Sequence, residues 1–416
     1  MCLCFKCSGR AQAVVLVEQP SGFDARGGQS LQNPWVLLAC PECSANLVED
    51  GTALICRSCK RRWEVREGIP RFFDPENYWG EVPQAEALSL LSDARRDGWR
   101  QAVIKHFEND QAMLYSVVQS QSRASWLPLL GSDKDGMVAL DIGSGYGAIT
   151  QALARAVSEV YSLEAITERL EFTSVRLRQE GLLNVKLVQG SATKLPFPDD
   201  AFDLVVVNGV LEWVGEWDTS ASPREIQRQF LRKIFRILKP GGVLLIGIEN
   251  RIGYNNFRGA LDHSGLTYTG LMPRWLATLV LRHSHHRSSH RRQLNEKCQY
   301  RTYTYSEMGY RKILSESGFR DVSFYAADPG YNKPLSLVSL NRNALAAHTL
   351  RMMSEPILGS RPRWSRLIKF YLSRFGVMRY FIPEFVIIAN KAGHHDGSNL
   401  NAVWQRLKTA GVQNAV

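Results

Sequence analysis

No stretch of this 416-residue chain approaches the roughly 18 consecutive apolar residues that a membrane-spanning helix needs. A transmembrane protein is therefore not expected. The N-terminus offers only a short apolar run, Ala13 to Val17. It lacks the longer apolar region and small-residue cleavage site of a secretory leader, so a cytoplasmic protein is expected. No internal repeat is present, and an array of like units is not expected. Cysteine is scarce and unevenly placed, with eight in all. Four form two Cys-x-x-Cys pairs, Cys40/Cys43 and Cys56/Cys59. Cys2, Cys4 and Cys7 crowd the N-terminus, and Cys298 stands alone. Without a leader, this pattern points to metal binding and away from a disulfide framework.

What is present is ordinary for a globular protein: 44% hydrophobic and 22% charged residues. The length suffices for an α/β core with one or two accessory units. The net charge of +11 favours an anionic partner such as nucleic acid, a phospholipid surface or a phosphorylated substrate. It fits equally well a basic surface with no ligand.

Residues 1–33 mix Gly, Ser and Gln without a period and read as a flexible tail. Two cysteine knuckles follow, within residues 34–75. A polar, largely helical stretch runs from about Gln84 to Leu130, inside a helical cap at 76–135. Short apolar runs then alternate with amphipathic helices, the mark of βα units around a parallel sheet. Strands are expected at Val138–Ile142, Val160–Leu163, Val185–Val188, Leu204–Val207, Val243–Ile248, Val322–Tyr325 and Phe385–Ile388. A helix is expected over Pro223–Leu238, with Ser222 as its cap and Glu225 completing a capping box. Pro240-Gly241-Gly242 should end it and turn the chain into the next strand. A further helix is expected over Ser306–Ser317. Two interruptions, at about 251–303 and 329–383, are long enough to be lids that shape a second ligand site. Residues 393–416 read as a C-terminal tail.

The most informative segment is Val138-Ala-Leu-Asp-Ile-Gly-Ser-Gly-Tyr-Gly147. A strand enters a glycine turn, and a helix opens behind it, so that the backbone can approach a ligand closely. Glu164 ends the next strand, about twenty residues after Asp141, where a carboxylate can accept hydrogen bonds from ribose hydroxyls. Gln189-Gly-Ser-Ala-Thr-Lys-Leu-Pro-Phe-Pro-Asp-Asp-Ala-Phe-Asp203 and Leu238-Lys-Pro-Gly-Gly-Val243 complete the set.

These four stretches, in this order, resemble the class I S-adenosylmethionine-dependent methyltransferases of the type 11 kind. The resemblance covers about Val138 to Glu249 and the Phe385 strand, within a methyltransferase domain at 136–392. It implies a Rossmann-like, seven-stranded, mostly parallel sheet with helices on both faces. It also implies S-adenosylmethionine as cofactor. Gly143 and Gly145 would border the methionine part, in one loop with Ser144 and Gly147. Asp141 would anchor the loop and the amino group, and Glu164 would hold the ribose. Ser191 and Ala192 would lie by the adenine, and Asn208 would open the catalytic strand end. Ser191 departs from the acidic residue common at its position, although its hydroxyl can still accept one hydrogen bond. A dehydrogenase is less favoured, because the Gly-x-Gly-x-x-Gly spacing is missing.

Methyl transfer from a sulfonium is an in-line displacement in which positioning and desolvation can do much of the work. A base is needed only for a poor nucleophile such as a hydroxyl. The segment Asn208-Gly-Val-Leu-Glu-Trp213 lacks the prolines and aromatic often found where exocyclic amines are methylated. It also lacks the cysteine of covalent pyrimidine chemistry. Glu212 and His263 are the candidate bases. A surface carboxylate and an ordinary loop histidine are the plainer readings of the two. Gly247-Ile-Glu-Asn-Arg-Ile-Gly253 and Gly259-Ala-Leu-Asp-His-Ser-Gly265 resemble a bacterial methyltransferase subgroup associated with surface-glycan assembly.

Leu38-Ala-Cys-Pro-Glu-Cys43 and Leu54-Ile-Cys-Arg-Ser-Cys59 present four thiolates at a spacing that suits tetrahedral Zn²⁺. With no open position, that metal would be structural. Together with Arg66-Glu-Gly-Ile-Pro-Arg-Phe72 the segment resembles the zinc-ribbon activators of transfer-RNA and protein methyltransferases. Cys2, Cys4 and Cys7 could hold a further metal or lie in a loose tail. Basic runs at Arg282–Arg287, His290–Arg292, Arg361–Arg366 and Lys369–Arg374 suit phosphate contact, an anionic membrane or plain solvation. The expectation is a methyltransferase acting on a glycan, lipid-linked or other small acceptor, at oxygen. RNA methylation and an inactive cofactor-binding scaffold are the alternatives.

Overall fold

The computed structural model describes residues 35–73, 78, 80, 82–108, 117–131, 134–284, 299–354 and 363–392. Both terminal tails lie outside these residues, as do Cys2, Cys4, Cys7, Cys298 and, of the basic runs, residues 285–292 and 361–362.

The cysteine segment folds as four consecutive antiparallel strands: β1 (Leu47–Asp50), β2 (Ala53–Cys56), β3 (Arg62–Arg66) and β4 (Ile69–Pro70). Two helices follow, α1 (Gln84–Asp97) and α2 (Trp99–Phe107). The alternating core then runs β5 (Val138–Ile142), α3 (Ala148–Ala154), β6 (Glu159–Glu164), α4 (Thr167–Gln179), β7 (Val185–Gln189) and β8 (Phe202–Asn208). It continues with the short α5 (Val214–Trp217), then α6 (Pro223–Ile237) and β9 (Leu238–Glu249). Helices α7 (Tyr254–Phe257) and α8 (Arg274–His283) lie in the first insertion, before α9 (Glu307–Glu316) and β10 (Arg320–Asp328). The second insertion holds β11 (Ser336–Ser339), α10 (Arg342–Ser354) and α11 (Arg363–Arg374), and β12 (Glu384–Asn390) closes the described chain.

The large sheet has eight strands in the order β7-β6-β5-β8-β9-β12-β10-β11. The five from β7 to β9 are parallel, and the last three run antiparallel to their neighbours. The expected seven strands are all found. The eighth, β11, comes from the second insertion, where Ser336–Ser339 pairs with the free edge of β10. A four-residue strand with intermediate burial throughout carries too little pattern to stand out in a sequence.

Strand order reverses at β5, with β6 on one side and β8 on the other. Right-handed crossovers then place α3 and α4 on one face and α6 on the other. Ligands in such sheets bind beyond the carboxyl ends of the strands at this reversal. The α6 cap forms as expected, with Ser222 Oγ accepting from the Glu225 amide at 3.3 Å. The expected reciprocal bond does not form. The Glu225 carboxylate turns instead to Arg228 and Gln229, where charge makes the stronger hydrogen bond. The Pro240-Gly241-Gly242 turn also differs from expectation. Residue 238 already belongs to β9, and the glycines form an irregularity at the strand's start, with Gly241 at φ +79.

Two features brace the carboxyl end of the sheet. Arg176 of α4 is fully buried. It donates to Gln151 Oε1 and to the carbonyls of Val118 and Tyr146, and its guanidinium lies 4.2 Å over the Trp99 ring. Burial pulls its pKa down to about 9. Tyr146 and Phe172 share an apolar cluster with α1 and α2, so the helical cap grips the glycine turn. On the other side, the cysteine segment covers the edge of β7. Arg71 bridges Gln189 in parallel register, the Phe72 amide donates to Gln189 O at 2.8 Å, and the Ala39 amide donates to Pro196 O at 2.9 Å. An exposed parallel edge would otherwise offer unpaired backbone groups.

Candidate functional site

The glycine turn carries three left-handed residues, Gly143 at φ +67, Gly145 at +56 and Gly147 at +77. They differ in what surrounds them. A Cβ on Gly143 would meet Val210 Cγ2 at 2.5 Å, and one on Gly147 would meet Thr173 Cγ2 at 2.6 Å. A Cβ on Gly145 would meet nothing within 4 Å. Gly143 and Gly147 are thus glycine because protein packs against them. Gly145 borders open space, as a cradle for a ligand requires.

Asp141 is buried at the end of β5 and accepts from Thr150 Oγ1 at 2.7 Å. Burial, countered in part by that hydrogen bond, pushes its carboxyl up to about 6. Thr150 leads on to Ser162, which donates to Ser144 at 2.8 Å. A buried polar chain therefore ties the turn to β6. Glu164, at the end of β6, accepts from the Gly145 amide at 2.8 Å through Oε2 and from the Ala165 and Ile166 amides at 3.0 Å through Oε1. Ser191 and Ala192 follow the end of β7, and the Gly190 amide donates to Glu164 O at 3.1 Å. The Ser191 hydroxyl is engaged locally with Thr193 Oγ1 at 2.9 Å and with the Thr193 amide. Asn208 ends β8. It is 5% exposed, and neither Nδ2 nor Oδ1 has a hydrogen-bond partner. A buried carboxamide left without partners is costly, and one at the carboxyl end of a central strand is what a bound polar ligand would satisfy. All nine candidate cofactor residues thus line the carboxyl ends of β5, β6, β7 and β8.

A second group gathers beside them at the ends of β8, β9 and β12. Glu212 is 0% exposed, and both of its carboxylate oxygens lack a partner. His263, from the first insertion, lies with Nε2 at 3.2 Å from Glu249 Oε2, and its ring meets Trp213 at 4.7 Å. One ligand atom from each of Glu212, Glu249 and His263 falls within 4.8 Å of the others. Tyr331, from the second insertion, donates to Glu249 Oε1 at 2.9 Å, while its amide donates to Glu384 Oε2 at 2.8 Å. Burial and the Glu249 charge push Glu212 well above the usual carboxylate range, and burial pushes Glu384 up to about 7. Burial works against the charged form of His263, yet the Glu249 charge and hydrogen bond hold it at about 9.

Glu212 and His263 were expected from sequence, and the structure brings them within 4.8 Å of each other. Glu249, Tyr331 and Glu384 were not singled out. Glu249 was detectable as a carboxylate at the end of an expected strand. Nothing local marks Tyr331 or Glu384. The Glu-Asn-Arg run around Glu249 also explains how the insertions are held. Asn250 Nδ2 donates to the carbonyls of Tyr380 and Ile382 in the second insertion. Arg251 donates to the carbonyls of Gly270 and Met272 in the first. Asp262 accepts from the Ser264 amide and from the Thr269 and Tyr300 hydroxyls, fixing the loop that carries His263.

At the far end, Cys40, Cys43, Cys56 and Cys59 bring their sulfurs within 4.8 Å of one another, with Cys40 to Cys59 at 3.6 Å and Cys43 to Cys56 at 3.4 Å.

Residues 140–246 match the family described as a methyltransferase domain. The ubiquinone/menaquinone biosynthesis C-methyltransferase UbiE of Vibrio vulnificus (strain YJ016) is 36% identical over 117 residues, which is 27% of this chain and 41% of that protein. The demethylmenaquinone methyltransferase of Geobacillus sp. (strain WCH70) is 31% identical over 147 residues, 34% of this chain and 56% of that protein. The chain thus spans about half the length of these curated relatives. Among solved structures, the Haemonchus contortus phosphoethanolamine N-methyltransferase 2 in complex with S-adenosyl-L-methionine is similar at a TM-score of 0.40 and 16% identity, covering 84% of this chain and 71% of that one.

Proposed function

We propose, for a chain that carries a class I S-adenosylmethionine-dependent methyltransferase domain, that it transfers a methyl group to a small, glycan or lipid-linked acceptor, at oxygen, by direct in-line displacement. The observation that carries this reading is the adjacency of the two clusters. The cradle from Asp141 to Asn208 ends where Glu212, Glu249 and His263 begin, and both insertions reach over that junction.

When bound, S-adenosylmethionine supplies an activated methyl on a sulfonium. The chain's own residues do the rest. Asp141 offers a carboxylate to the cofactor's ammonium, Glu164 accepts from the ribose hydroxyls, and Gly143, Ser144, Gly145 and Gly147 let the backbone come close. Ser191 and Ala192 would lie by the adenine, and the Asn208 carboxamide would gain the partners it lacks. Glu212 and His263 adjoin the acceptor end; an alcohol would need its proton removed, and either group could take it only after giving up the proton that burial leaves on Glu212 and that Glu249 holds on His263. Both relatives are named for quinone substrates, which fits a non-polymeric acceptor, although the UbiE name specifies methylation at carbon.

RNA methylation is the second reading, favoured by the net charge of +11. We further propose that the four cysteines hold a structural Zn²⁺. Sulfurs about 3.5–4 Å apart are what tetrahedral coordination at roughly 2.3 Å requires. The zinc would brace the segment that seals β7 and adjoins the Ser191 loop.

The test is calorimetric titration of the chain with S-adenosylmethionine, beside Asp141→Ala, followed by transfer of labelled methyl to lipid-extract, glycan and RNA pools. Binding lost in the variant, with label in a non-RNA pool, supports the reading. Label in RNA selects the second reading. A folded chain that binds no cofactor overturns the enzyme reading and leaves the scaffold.

A further inference from the structure

We propose that Glu212, Glu249 and His263 form a binding site for a divalent cation of the Mn²⁺ or Fe²⁺ kind. The inference rests on reading this cluster as the acceptor end of the methyltransferase site. It adds a metal that the reading itself does not need.

Three observations converge. First, the donor atoms are already gathered. Their mutual distances are within 4.8 Å, with His263 Nε2 and Glu249 Oε2 at 3.2 Å. Ligands around one octahedral ion with bonds near 2.1 Å sit about 3–4 Å apart, so the His263–Glu249 spacing already fits and the whole set lies within 4.8 Å. Second, Glu212 is fully buried with both carboxylate oxygens unpartnered. A carboxylate in that position is strongly disfavoured unless a cation or donor meets it. No lysine or arginine is paired with it among the described residues, and the neighbouring His263 gives its hydrogen bond to Glu249 instead. A divalent ion would balance the charges of Glu212 and Glu249 with a neutral imidazole as third ligand. Third, the surroundings hold the ligands as outer-shell groups do. Tyr331 donates to the other oxygen of Glu249, and Asp262 fixes the loop bearing His263.

Access and ion type follow from the same geometry. The side chains of Glu249 and His263 are 29% and 24% exposed, so the site opens on one side. Two carboxylates with one imidazole suit Mn²⁺ and Fe²⁺ better than Ca²⁺, which prefers oxygen alone, or a thiolate-seeking ion. Three protein ligands leave positions free for an oxygen of the acceptor. The acceptor class is therefore one with an oxygen able to bind metal: a phenol, a carboxylate or a vicinal pair of hydroxyls.

The experiment titrates Mn²⁺ into the full-length, zinc-loaded chain and follows free Mn²⁺ by electron paramagnetic resonance, alongside Glu212→Gln, His263→Ala and Tyr331→Phe. Loading a single equivalent of zinc per chain, which the four thiolates take in preference, keeps the cysteine cluster out of the readout while leaving the carboxylate–imidazole site free. One Mn²⁺ per chain is expected, with affinity reduced at least about tenfold in each variant. S-adenosylmethionine titration of the same samples reports separately on the cofactor cradle and on folding. If the parent chain binds Mn²⁺ but no cofactor, the methyltransferase reading fails and the metal site stands. If variants that bind cofactor normally also bind Mn²⁺ as the parent does, or if the folded parent takes up no stoichiometric Mn²⁺, the metal site is overturned.

Discussion

Single residues in the glycine turn separate two kinds of necessity. Gly143 and Gly145 share a left-handed backbone, which costs a substituted residue roughly 1–2 kcal/mol. Gly143 also has Val210 against it, whereas Gly145 faces open space. Gly143→Ala should therefore lower both thermal stability and cofactor affinity. Gly145→Ala should cost about 1 kcal/mol of stability and most of the affinity, because its methyl enters the ligand's space. Paired melting and calorimetric curves check this; equal stability losses would contradict it.

Asp141 gives a pH signature. Its folded pKa, about 6, lies above the ordinary 3.8, so the folded state holds the extra proton. The stabilising contribution of that neutral carboxyl is complete below about pH 4 and is lost as pH rises through about 6. Cofactor binding makes the opposite demand, since an ammonium group prefers the ionised form. Affinity for S-adenosylmethionine should thus be flat above about pH 7 and fall about tenfold per unit as pH drops below about 6. Asp141→Asn should bind weakly with that dependence removed. Calorimetry across pH 5 to 8 measures both.

Among the elements, α4 is the link between cap and cradle. The Arg176 guanidinium satisfies carbonyls of Val118 and Tyr146 as well as Gln151. Arg176→Met keeps the volume and removes the donors. It should cost about 2–4 kcal/mol through unsatisfied buried acceptors. It should also loosen the turn at Tyr146, read as a weaker cofactor signal alongside a lower denaturation midpoint. A variant as stable as the parent would show that the cap does not depend on this residue. Elements also mark how far the sequence could be read. Helix α6 and strands β5 to β9 were legible because apolar spacing and caps are local. Strand β11 was not, because four half-buried residues acquire strand identity only from the β10 edge they meet.

For the whole molecule, the cysteine segment is a cover as much as a domain. It donates backbone to the β7 edge through Phe72 and to the 190–196 loop through Ala39. Lys194 reaches back to Glu42 at 2.8 Å. Stripping zinc with a chelator should release the four thiols together, lower the melting temperature by several degrees and expose a parallel edge that promotes association. Thiol titration and light scattering would follow these. Thiols that react fully before chelation, with no change in melting, would count against the structural zinc.

Sequence alone carried the motifs of the proposed cofactor site and of the paired cysteines. A glycine turn, a carboxylate about twenty residues on and paired cysteines are close-range patterns, written by steric and coordination rules that act over a few residues. It also supplied Glu212 and His263 as isolated candidates. Only the tertiary structure decided that these two lie within 4.8 Å of each other and of Glu249, and that Tyr331 fixes Glu249 from a separate insertion. Their proximity is set by strand order and by Asn250 and Arg251 pinning the two insertions. Contacts between residues tens of positions apart leave no periodic trace in the chain, because they arise from packing and not from local conformational preference.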